Sequence, residues 1–140
     1  MNSDINIKIK GFSKEEGDRD AQVTLVRGKY ETEEEVHCIS YEETEPGSET
    51  VIKNLIRIDK NRMYHEKEGE IKTTLCFEEG KDHETEYVTP FGVLKLMAKT
   101  NSYKLTEEDN GLKVFIEYEL LLNDGSAGIR IIEIETEEVQ

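Results

Sequence analysis

Apolar and polar residues alternate with period two along most of this chain, beginning at Ile5-Asn6-Ile7-Lys8-Ile9-Lys10. Such alternation marks a half-buried β-strand, because successive side chains of a strand face opposite sides. The pattern resumes over Gln22–Tyr30, with Val23 and Leu25 on one face and Gly28 expected to bend or bulge the strand ahead of Tyr30. Further strands are predicted at Val36–Tyr41, Val51–Ile58, Arg62–Lys67, Ile71–Phe77 and Thr85–Thr89. Past the corner Pro90-Phe91-Gly92 the chain runs extended to about Leu105. Leu112, Val114, Ile116, Tyr118, Leu120 and Leu122 alternate over the next strand, and Ile129–Glu135 forms the last.

The breaks between these runs are turn chemistry. Glu45-Pro46-Gly47-Ser48 sets proline and glycine at successive corner positions, and Asp59-Lys60-Asn61, Asn110-Gly111 and Asn123-Asp124-Gly125 suit tight hairpins. Glu31-Thr32-Glu33-Glu34-Glu35 has helix propensity but no apolar stripe to bury, so it reads as a solvated connection. About ten strands at short spacing, joined by tight turns, predict an all-β domain over residues 1–140. An up-and-down meander β-barrel of about 8–10 strands fits better than a Greek-key sandwich, which needs long crossings. In that barrel every second residue from Ile5 to Ile134 points to a common axis.

Composition narrows the function. The formal net charge is -14, with Lys and Arg scattered among carboxylates, so neither nucleic acid nor an anionic membrane surface is an expected partner. There is no apolar run of membrane-spanning length and no secretory-type start, and a cytoplasmic location is the expectation. Cys38 and Cys76 are the two cysteines, read as reduced thiols borne on strands.

From Val51 to Ile134 the chain resembles the YwiB-like family of uncharacterised bacterial proteins. The resemblance rests on Gly69 before a strand ending in Phe77, on Tyr87-Val88-Thr89-Pro90-Phe91-Gly92, on the apolar-alternating segment ending at Thr100, and on the Gly111–Tyr118 strand. It is looser at Gly28-Lys29-Tyr30 and Ser40-Tyr41-Glu42-Glu43. The resemblance implies a calycin-type, lipocalin-like barrel. It brings no known activity and no site residues.

A barrel of this size either holds a small guest or is filled by its own side chains. An interior of Leu112, Val114, Ile116, Leu120, Ile71, Leu75 and Phe77 suits an apolar molecule. Arg57, Arg130 and Lys53 stand in apolar strands, where an inward arginine would clamp a carboxylate through its bidentate fork and an outward one would pair with a glutamate across the sheet. Intracellular lipid-binding barrels use such an arginine near the C-terminus, but Ile132 stands here where their motif has tyrosine. Tyr87, Tyr103 and Tyr118 are candidates to line one mouth of the barrel.

His37, His65 and His83 lie on separate segments without metal-ligand spacing, the acidic runs lack a calcium loop, and no nucleophile elbow is present. No cofactor and no metal are expected. The sequence therefore predicts a non-enzymatic barrel that binds a small, partly apolar, carboxylate-bearing ligand. The alternative is a filled barrel serving as an interaction or assembly module. Phe115 and Leu121, on an otherwise polar face, raise a homodimer contact beside the monomer.

Overall fold

The computed structural model describes residues 3–44 and 47–139, so Glu45 and Pro46 of the predicted 45–48 turn lie outside the described residues. Ten strands follow one another: β1 (Ser3–Ser13), β2 (Gln22–Glu33), β3 (Val36–Thr44), β4 (Val51–Ile58), β5 (Arg62–Glu68), β6 (Lys72–Glu78), β7 (Asp82–Thr89), β8 (Gly92–Glu108), β9 (Gly111–Leu122) and β10 (Gly125–Glu138). A single 3-10 turn, Gly17–Asp20, interrupts the meander after β1. All neighbouring pairs are antiparallel and form one ladder in the order β6-β5-β4-β3-β2-β1-β10-β9-β8-β7. The result is a nearly closed up-and-down barrel, as the alternation predicts.

The ladder ends at β6 and β7, and that seam is closed by other means. Across it the Gly80 N–H donates to the Thr100 carbonyl at 2.9 Å and the Thr100 N–H to the Lys81 carbonyl at 3.2 Å, fixing the β6–β7 turn onto β8. From β8 the Tyr103 hydroxyl lies 2.6 Å from the Asp59 carbonyl and 3.0 Å from that of Arg62. Tyr103 thus pins the β4–β5 hairpin rather than lining a mouth with its hydroxyl free. Burial of the ring, with the Asp59 carboxylate charge beside it, pushes its phenol up, so it stays a proton donor.

Register decides which side chains face the axis. Ile5, Ile7, Ile39, Ile56, Ile58, Met63, Phe77, Ile116 and Ile134 are all at most 2% exposed and fill the middle of the barrel. Burying each such side chain contributes roughly 1.5–3 kcal/mol, so this column is the main source of cohesion.

Local expectations at Gly28, over 31–35, at Ile71 and at Asn110-Gly111 are corrected. Val23 and Leu25 share one face, as expected, and it is the outer one, 50% and 74% exposed, while Thr24, Val26, Gly28 and Tyr30 share the inner face in unbroken register with β1. Gly28 makes no bulge; it permits close approach, since a Cβ there would fall 2.4 Å from the Ser40 carbonyl oxygen and 2.8 Å from the Ile7 side chain. The acidic run at 31–35 is strand up to Glu33, with Glu34 and Glu35 forming a two-residue hairpin turn at φ 54° and 80°. Both carry the positive φ that right-handed strand twist asks of such turns. Finally, Ile71 precedes β6, and the turn into β9 is made by Asp109 and Asn110, with Gly111 already in the strand.

Candidate functional site

Consecutive register pairs place Ser13, Arg130, Tyr118 and Thr100 in one row across β1, β10, β9 and β8. Tyr118 alternates in phase with the buried Val114 and Ile116, and Arg130 with Ile132 and Ile134, so this row faces inward one step beyond the packed middle. Tyr118 is 7% exposed, whereas Arg130 is half-buried. The Phe77 ring packs on that of Tyr118 at 4.8 Å between centroids and 59° between planes. Burial raises the Tyr118 phenol above its ordinary range, and the charge and N–H groups of Arg130 beside it partly offset the rise.

Among the described residues Arg130 takes part in no ion pair. That is unusual company for a cation in a chain with 32 carboxylate residues. Beyond the row, β9 carries Leu120 and then Leu122 on the same face, with Leu96 of β8 opposite Leu122 and Tyr87 of β7 opposite Leu94. These side chains are partly exposed, Leu122 by 40%. An arginine at the base of a partly wetted apolar wall can hold an acid head group while the wall covers an apolar body.

The predicted residues therefore divide. Arg130, Tyr118 and Phe77 come together, and Tyr87 lies further along the same inner face. Arg57 does not join them. It alternates with the buried Ile56 and Ile58, so it points outward, exposed, between Cys38 and Tyr64 of the neighbouring strands. Lys53 is likewise exposed on the outer wall. Cys38 and Cys76 are free thiols on that same outward row, and burial pushes the Cys76 thiol up, away from reactivity.

Two polar clusters escaped prediction. At the far end of the barrel the Tyr30 hydroxyl and His37 Nδ1 are 2.5 Å apart, and His37 Nε2 lies 3.3 Å from Glu107 Oε1, beside a cavity of about 140 Å³. The other cluster runs through β3, β4 and β5. His65 Nε2 is 2.9 Å from Asn54 Oδ1, and Asn54 Nδ2 donates to Glu43 Oε1 at 3.0 Å. Asn54 is only 2% exposed, so the chain of donors fixes its amide and leaves His65 holding its proton on Nε2. Among the described residues no three of His, Cys, Asp and Glu gather as they would around a metal ion.

Desolvation, helped by the charge of Lys67, pushes the His65 pKa down to about 4. Below the unfolded value near 6.5 the unfolded chain takes up a proton that the folded barrel refuses, so stability falls with pH between about 6.5 and 4. The expected loss is roughly 2–3 kcal/mol over that window. Urea denaturation at pH 7.5 and 4.5 checks it against His65→Gln, in which this share of the pH dependence disappears. An equal slope in both proteins excludes His65 as the cause.

The family model described as Domain of unknown function (DUF1934) matches residues 7–134. The chain belongs to this family. A solved structure of similar form, the crystal structure of ywiB protein from Bacillus subtilis, superposes with a TM-score of 0.81 at 18% identity, covering 99% of this chain and 94% of that one. At that identity the likeness speaks for the fold. No curated protein matches the chain. Among the described residues no helix is long and apolar enough to cross a membrane.

Proposed function

We propose that this DUF1934 barrel is a non-enzymatic binding protein for a small, partly apolar acid, held by Arg130 and Tyr118 at one end of the barrel. The observation that carries the reading is the inward, half-buried guanidinium that makes no ion pair among the described residues, in a chain of net charge -14. A partly buried cation without a counter-charge is costly, and a ligand carboxylate relieves that cost through charge-assisted hydrogen bonds. The exposed leucines beyond it supply apolar contact. The filled middle restricts the guest to the end of the barrel, with its tail along Leu96, Leu120 and Leu122.

Titration of straight-chain carboxylates of six to twelve carbons into the parent, Arg130→Gln and Arg57→Gln, followed by calorimetry, tests this. Loss of the charge-assisted bonds predicts roughly 10- to 100-fold weaker binding in Arg130→Gln. Arg57→Gln, altered on the outer wall, is expected to bind like the parent. Negligible binding by the parent, or equal binding by the parent and Arg130→Gln, defeats the reading.

A further inference from the structure

Thr100 stands at the end of the row opposite Arg130 and is 3% exposed, yet its hydroxyl has no hydrogen-bond partner. It is the one buried side-chain polar atom so placed among the described residues. The barrel can satisfy a buried threonine elsewhere: the Thr136 hydroxyl accepts the Leu112 N–H at 3.0 Å. An unpaired buried hydroxyl disfavours folding by a factor of roughly 10 to 100, a penalty that valine of the same shape would avoid.

The register gives the orphan hydroxyl a neighbourhood. Thr100 pairs with Tyr118 across β8 and β9, and Tyr118 pairs with Arg130 across β9 and β10. Adjacent strands lie about 4.8 Å apart, so the Cα atoms of Thr100 and Arg130 are separated by roughly 10 Å. A guanidinium that reaches the Tyr118 hydroxyl closes about half of that gap. Phe77 packs on Tyr118 within this row, and Ala98, the next position on the same face of β8, is 1% exposed.

We infer that Thr100 receives a second oxygen of the acid held by Arg130, so that the barrel selects hydroxy or oxo acids over plain ones. This rests on the binding role proposed above and adds a chemical class to it. An acid with an oxygen a few carbons from its carboxylate reaches both Arg130 and Thr100, whereas a plain acid leaves the threonine hydroxyl unpaired.

The test uses the parent, Thr100→Val and Arg130→Gln, with octanoate and its 2-, 3-, 4- and 5-hydroxy and oxo derivatives as probes. Without any acid present, Thr100→Val is expected to melt a few degrees higher than the parent, since it removes an unmet hydrogen bond. In titrations the parent is expected to prefer at least one oxygenated acid over octanoate by about tenfold, and Thr100→Val to bind the two alike. A lower melting temperature for Thr100→Val means that the hydroxyl is already satisfied, as by a buried water, and overturns the inference. So does a parent that binds octanoate and every derivative equally, which leaves the role of Arg130 standing. Undiminished octanoate binding by Arg130→Gln instead removes the underlying site.

Discussion

Replacing Gly111 by alanine is expected to cost about 3–5 kcal/mol, a large share of the margin by which a domain of this size is stable. A Cβ at Gly111 would lie 1.8 Å from the Thr136 carbonyl oxygen and 2.7 Å from its carbon, both backbone atoms of the facing strand. A flexible side chain could swing away; a paired strand cannot. β10 is held at that point because the Leu112 N–H donates to the Thr136 hydroxyl at 3.0 Å and the Glu138 N–H to the Asn110 carbonyl at 2.9 Å. Moving either strand breaks these bonds and opens the ladder that joins β1, β10 and β9. Gly11→Ala is the control, for the nearest atom to its added Cβ is the Ile131 carbonyl oxygen at 4.0 Å. Urea midpoints of the two variants are expected to separate widely. Similar midpoints would mean that β9 and β10 do not approach this closely in solution.

Gly111 also shows how far the sequence could be read. Its place after an asparagine suggests a turn, and the turn is there, but the need for glycine comes from a strand 25 residues away that local pattern does not reveal. The meander was legible because alternation over Leu112–Leu122 or Ile5–Lys10 is a local property. The inner face of β2 was not, because Val23 and Leu25 are more apolar than Thr24 and Val26. The register with Ile5 and Ile7 outweighs that local preference, since a slip by one residue would turn Tyr30 and Gly28 out of the core.

The two arginines carry the same lesson for the site. Arg130 is flanked by Ile129 and Ile131 just as Arg57 is flanked by Ile56 and Ile58, so neighbouring residues do not distinguish the two; the buried Ile134, with which Arg130 keeps step, and the buried Ile56 and Ile58, with which Arg57 does not, separate an inward cation from an outward one. Parity fails at Tyr103. The β8–β9 register shifts between Thr100 and Ser102, which puts Thr100 and Tyr103 on one face although their numbers differ by three. No residue type at 101 announces that irregularity. Thr100 consequently offers no sequence signal as a site residue; its significance arises from burial without a partner.

Phe77→Ala is expected to destabilise the barrel by about 3–5 kcal/mol and Phe77→Leu by about 1 kcal/mol, read from chemical denaturation. Phe77 is 1% exposed at the end of β6, opposite Met63 in register, so truncation leaves a cavity lined by strands that the rest of the ladder prevents from collapsing. The consequence for binding separates the two substitutions from a purely structural effect. The Phe77 ring holds Tyr118 from the side away from its own strand, and β6 reaches this contact only across the seam where the ladder is unpaired. Leucine keeps most of the volume but offers no ring face, so Tyr118 gains freedom beside Arg130. The folded Phe77→Leu variant is therefore expected to bind octanoate about 3- to 10-fold more weakly, a loss in line with that of one aromatic pair. Calorimetry well below its melting temperature makes the comparison. Parent-like affinity in folded Phe77→Leu would separate the aromatic contact from the acid site and leave Phe77 as core alone.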